Sequence, residues 1–143
     1  MTVIFSKKCE YGLQAVLYLS TKEEDTVISA EEIAKKLSIP KEFVSKILQS
    51  LTEYGIVYSR KGKSGGFALA KNPNKIKLID IVAAIDGLGV FNGCVLGFPN
   101  CSPDYPCPVH DKWGTLRTMA YDMLTGQTLD QFKNRTINKI NNP

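Results

Sequence analysis

The segment Cys94–His110, reading CVLGFPNCSPDYPCPVH, limits the fold more than any other. Gly97, Pro99, Pro103, Pro106 and Pro108 punctuate it, and no helix or strand persists through that many breakers. Counted from Gly87 it is a loop of about twenty residues, a length that in a small domain is either functional or disordered. It holds three of the four cysteines and the only histidine, spaced C-x6-C-x5-C, with C-x2-H from Cys107 to His110. Thiolates are soft ligands that suit iron–sulfur clusters and zinc. The loop is therefore expected to wrap a cluster or a metal ion through Cys94, Cys101 and Cys107. The bland reading is a chance grouping of free thiols.

A chain of 143 residues with 43% apolar content suits one domain of the commonest size. No apolar run approaches the ~18 residues of a membrane span. The start, Met1–Lys8, lacks a charged region followed by a long apolar one. These features imply a soluble, cytoplasmic protein with no membrane partner, and there cysteines favour ligand or sensor roles over structural disulfides. The net charge of +4 is unevenly spread. Ile33–Lys77 carries ten Lys or Arg and two acids, while the remaining 98 residues carry eight bases and twelve acids. A basic block in an otherwise acidic chain implies an anionic partner, nucleic acid first. A solvated lysine-rich helix face is the alternative.

The periodicity explains where that block sits. Ser6 can cap a helix over Lys7–Ser20. Ser29-Ala30-Glu31-Glu32 has capping-box spacing and opens a short helix to Leu37. Pro40 fits the first position of a helix to Tyr54, with Phe43, Val44, Ile47, Leu48 and Leu51 at helical spacing. Two short helices joined tightly form a helix-turn-helix pattern. Strand, glycine-rich turn and strand follow from Ile56 to Ala70, with Arg60, Lys61, Lys63 and Ser64 at the tip. Helix-turn-helix plus basic hairpin is a winged helix. A phosphate-binding loop is excluded, because G-x-x-x-x-G-K-[ST] is absent and the turn leads into a strand. Leu78–Asp86 forms a short helix. A long one runs from Pro108 to about Leu124, with Val109, Trp113, Leu116, Ala120, Met123 and Leu124 in one stripe. That stripe packs back on the first helix or pairs with a second subunit. Thr128–Phe132 starts a last short helix, and Asn134–Pro143 reads as a frayed tail. The fold class is mainly α: residues 1–75 a winged helix-turn-helix, residues 76–143 a connecting helix, cysteine loop and dimerisation helix, in one compact unit.

The run Arg60–Gly87, RKGKSGGFALAKNPNKIKLIDIVAAIDG, is similar to the wing and following helix of the IscR/NsrR-type winged-helix regulators. Ser6-Lys7-Lys8-Cys9-Glu10-Tyr11-Gly12-Leu13 resembles the family's opening helix, and the three loop cysteines, C-x2-H and Trp113 extend the match to about Gly126. The resemblance implies a homodimeric bacterial transcription regulator that pairs through its long helix and binds a pseudo-palindromic operator in double-stranded DNA. It implies a cluster ligated by three cysteines, 2Fe–2S or 4Fe–4S, with 2Fe–2S favoured for this chain. His110 resembles the fourth ligand of the IscR branch. Glu10 aligns with the acidic residue that in other branches reaches a partner's cluster. Cys9 reads as a buried helix thiol. One interval departs from the pattern: six residues separate Cys94 from Cys101, where the best-known members have five. Loops tolerate such an insertion.

For DNA, the helix from Pro40 is expected in the major groove with Lys41, Glu42, Ser45 and Lys46 outward. Phe43 stands where the family often has Tyr. The wing residues reach phosphate or the minor groove, and Lys7 and Lys8 add phosphate contacts. Structural zinc is the rival for the loop, since three Cys and one His complete a zinc set, although the usual C-x2-C pairs are absent. A thiol-redox switch would use the same cysteines. An electron carrier usually brings four cysteines, and no catalytic triad, carboxylate pair or nucleotide loop marks an enzyme.

Overall fold

A computed structural model describes residues 4–143; Met1, Thr2 and Val3, the first residues of the stretch that lacks a leader pattern, lie outside it. The fold is built around helix α1, Lys7–Ser20. Its start is set by Ser6, whose hydroxyl accepts the N–H of Cys9 at 3.1 Å, a cap of about 1 kcal/mol. Cys9, Gly12, Ala15, Val16, Tyr18 and Leu19 are buried, so α1 is covered on several sides at once. Gly12 permits this. A methyl group there would lie 2.4 Å from Ile85 Cδ1, so the missing side chain lets the helix carrying Ile85 come close.

Helix α2, Ala30–Leu37, starts at Ser29, whose hydroxyl accepts the N–H of Glu32 at 3.1 Å. Ser38 ends it in the left-handed region, φ 56. Helix α3 spans Lys41–Glu53, with Pro40 as its N-cap rather than its first turn. The proline's fixed φ suits both places. Val44, Ile47, Leu48 and Leu51 face the core. Strands β1, Val57–Arg60, and β2, Gly66–Leu69, pair antiparallel with Val57 opposite Leu69 and Arg60 opposite Gly66. Ile28 and Phe67 exchange main-chain bonds of 2.9 and 2.8 Å, which anchors the wing to the entry of α2. Gly66 is obligatory here, because a Cβ would sit 2.4 Å from the Ile28 carbonyl oxygen.

Helix α4 is Leu78–Ile85, α5 is His110–Thr125 and α6 is Lys133–Asn141. The expected frayed tail is instead the ordered helix α6, packed against α1. Within it Thr136 and Ile140 are the partly buried positions, in register with Phe132 just before the helix, and Ile140 packs on the main core. A few positions at helical spacing suffice to seat a polar helix on a surface. Leu129 is fully buried in that core with Val16, Leu48 and Ile81, and its N–H donates to the Ile76 carbonyl at 2.9 Å. The chain after α5 is thus returned to the winged helix. A second cluster of Cys9, Val82 and Leu124 joins α1, α4 and α5. Among the described residues, no helix is long and apolar enough to cross a membrane.

Candidate cysteine centre and nucleic-acid face

The chain leaves α4 through Gly87, φ +74, and passes a 3-10 turn at Gly89–Phe91 before reaching Cys94. Gly97, φ +84, donates its N–H to the Cys94 carbonyl at 3.0 Å and turns the loop back. The result is convergence. The Sγ atoms of Cys94, Cys101 and Cys107 all lie within 4.8 Å of one another, with Cys94 and Cys107 3.6 Å apart. All three thiols are free and half-buried. The Cys107 N–H points at Cys101 Sγ, 3.4 Å away. His110 opens α5 with Nδ1 3.1 Å from Cys101 Sγ. Three soft donors and one imidazole therefore meet at one place.

Electrostatics prepares part of this set for ligation. Burial opposes ionisation of Cys94, but main-chain N–H groups of Phe98 and Leu96 and the Cys107 and Cys101 thiols outweigh it, drawing Cys94 down to about 7. Desolvation pushes Cys107 up, and the neighbouring Cys101 and Cys94 add to that. Three thiolates this close repel each other without a cation between them.

Helix α5 holds the arm that carries Cys94. Trp113 Nε1 donates to the Gly93 carbonyl at 2.8 Å, and Arg117 Nη1 to the Phe91 carbonyl at 3.0 Å. Trp113 is thus committed to the loop of its own chain, not to the rest of the expected stripe. In that stripe Leu124 is buried, but Leu116 and Met123 are 57% and 59% exposed, as is Met119 at 62%.

The start of the same arm is tied to α1. Asp86, the residue after α4, accepts the Ser6 N–H at 2.8 Å and the Ser6 hydroxyl at 2.5 Å. Ser6 in turn caps α1 beside Lys7 and Lys8. Cys9, one turn on, is fully buried; desolvation first, then the Asp86 charge, pushes its thiol up to about 12. It is an inert core thiol, as expected. Glu10 lies outside the converged cysteine group of its own chain and pairs with Lys7 at 3.3 Å. Asp86→Ala removes both bonds to Ser6, so thermal unfolding should show a loss of about 1–2 kcal/mol.

The expected DNA face is largely open. On α3 the side chains of Lys41, Glu42, Phe43 and Lys46 are exposed and Ser45 is half-buried. Lys41 is held by Glu31 at 2.7 Å. Phe43, 52% exposed, stacks edge-on against Tyr11 with centroids 6.1 Å apart, and Lys7 lies 5.3 Å over that Tyr11 ring. Phe43 thus links α3 to the start of α1. Arg60, Lys61, Lys63 and Ser64 are all exposed at the wing, and Lys7 and Lys8 are exposed on α1.

Comparison with known proteins matches residues 5–135 to the Rrf2 family, described as iron-dependent transcriptional regulators. This chain is a member of the Rrf2 family. A protein of Aquifex aeolicus (strain VF5), assigned as an HTH-type transcriptional regulator, is 39% identical over 134 residues, 92% of each chain. Two solved structures share the fold. CymR (YrzC), the global cysteine regulator of B. subtilis, superposes with a TM-score of 0.78 at 22% identity, covering 94% of this chain and 98% of that one. T. potens IscR gives 0.70 at 24% identity, covering 94% and 88%.

Within this Rrf2 protein, two residues that position the cysteine loop are not legible in the sequence alone. Arg117 stands four residues after Trp113, on the same helix face. Asp86 carries no local signal, because its partner Ser6 is 80 residues away.

Proposed function

We propose that this Rrf2 protein is a cytoplasmic, homodimeric DNA-binding transcription regulator controlled by an iron–sulfur cluster held at Cys94, Cys101 and Cys107. The convergence of three free thiols within 4.8 Å carries this reading. The donor set fits: soft, unpaired and half-buried, with Cys94 already drawn down to about 7 by main-chain N–H groups, with burial opposing. A bound cluster would supply redox and ligand-exchange chemistry, and 2Fe–2S is the favoured type, with 4Fe–4S as the alternative. As fourth ligand within one chain His110 is favoured by its 3.1 Å approach to Cys101; Glu10 serves only if a second copy brings it. Structural zinc uses the same four donors. Anaerobic purification separates them. Absorption above about 400 nm with iron and sulfide supports the cluster, whereas a colourless zinc protein overturns it.

The protein's own contribution is to connect the loop to both interfaces. One end is bound to α1 through Asp86 and Ser6, beside Lys7 and Lys8. The other end is the first turn of α5, whose Trp113 and Arg117 grip the Cys94 arm. A rearrangement of the loop would bias α1 and α5 together, the element needed for a two-state response.

For DNA, α3 enters the major groove of a pseudo-palindromic operator and the wing touches the backbone. Lys46→Ala and Lys63→Ala should then differ. Loss of Lys46 relaxes sequence preference, while loss of Lys63 weakens all duplexes about equally and lowers the salt slope by about one unit. Titration of operator and random duplex at two salt concentrations checks this. Full affinity in both variants counts against a winged-helix interface.

A further inference from the structure

A groove of ≈ 560 Å³ lies between α1, α2 and α6, away from the cysteine loop. Leu17, Leu37, Leu78, Phe132 and Ile140 give it an apolar lining. Lys36, Arg135 and Lys139 add three cations, and no acidic side chain lines it. Lys139 Nζ is 3.4 Å from a main-chain oxygen of Pro143, which also lines the groove and answers that cation. Lys36 and Arg135 have no ion-pair partner among the described residues, whose two salt bridges are Lys7–Glu10 and Lys41–Glu31.

We infer that this groove binds an amphipathic carboxylate, a hydrocarbon body with one anionic head. The volume falls within the ~300–1,000 Å³ of small-molecule clefts, which are mostly apolar with a few placed polar groups. The apolar lining removes a hydrocarbon chain from water. Lys36 on α2 and Arg135 on α6 supply the charge complement, and a guanidinium can take a carboxylate through two parallel bonds. A polyanion such as DNA does not fit an apolar lining, and a neutral lipid leaves both cations unused. Occupancy also bears on DNA binding. Ser38, the left-handed residue between α2 and α3, lines the same groove, so a ligand there acts on the angle between the two helices of the helix-turn-helix.

The test is calorimetric titration of the full chain with octanoate, decanoate and dodecanoate, each below its micelle concentration. One saturable site per chain is expected, with Kd tightening about three- to fourfold per added methylene. Decanol should bind at least about tenfold more weakly than decanoate. Arg135→Gln should bring decanoate close to decanol and leave decanol unchanged. Ile140→Ser should weaken both, with circular dichroism checking that α6 stays folded. Absence of saturable heat, equal binding of decanol and decanoate, or unchanged decanoate binding in Arg135→Gln overturns the assignment. So does sedimentation showing that decanoate splits a dimer, since the groove would then be a subunit contact. Cys101→Ala should bind decanoate as the parent does, which separates this site from the cluster reading.

Discussion

Cys101→Ala, purified without oxygen, should be colourless and free of iron and sulfide. Cys101 is the middle of the three thiols in sequence, its Sγ 3.4 Å from the Cys107 main-chain nitrogen and 3.1 Å from His110 Nδ1. Its loss leaves two thiolates on an irregular loop and one imidazole at the start of α5, too few to retain a cluster that three-cysteine ligation holds. The protein itself should remain folded. None of Cys94–His110 belongs to either buried core cluster, so a change at an uncored loop position stays within about 0.5 kcal/mol of the cluster-free parent. Circular dichroism and thermal melting of both cluster-free proteins check that point. Retention of the visible bands with parent iron and sulfide content would remove Cys101 from the site.

Leu116→Lys combined with Met119→Lys should convert a dimer into monomers. Leu116, Met119 and Met123 recur at i, i+3 and i+7 on α5 and are each more than half exposed in the single chain. An apolar stripe on a sixteen-residue helix left open to water is the surface that a dimer paired through α5 would bury. Two lysines per chain place four uncompensated charges across a two-fold contact, and each buried unpaired charge costs several kcal/mol, so the dimer should weaken by about a thousandfold or more. Sedimentation equilibrium reads the mass directly. DNA affinity should fall with it, since a monomer engages one half-site. Trp113→Asp acts elsewhere: it breaks the indole bond to Gly93 and disturbs the Cys94 arm. A dimer undiminished in the double variant places the interface on another surface.

Much of the DNA-reading half was legible in the chain because its signals are local. Ser6 and Ser29 cap the helices they precede. The glycine-rich turn sits between two short apolar segments that pair as strands, and Gly62 takes the positive φ of the turn. A cap or hairpin is set by residues three or four apart, so periodicity and turn chemistry are enough. The tail failed that test. Asn134–Pro143 is polar by composition, yet Thr136 and Ile140, in register with Phe132 before them, suffice once α1 offers an apolar surface.

By itself the sequence determined the winged helix, the basic block on it and the three cysteines on a loop that proline forbids to be regular. Only the tertiary structure decided that the three sulfurs converge, since closing a loop fixes distances that spacing leaves free. It alone separated Trp113 from the exposed stripe of α5, because both share the helical period and differ only in what lies opposite. It alone joined Asp86 to Ser6 and packed α6 beside α1, contacts between residues far apart in the chain. Local chemistry writes elements into a sequence; which surfaces meet depends on the whole chain being packed at once.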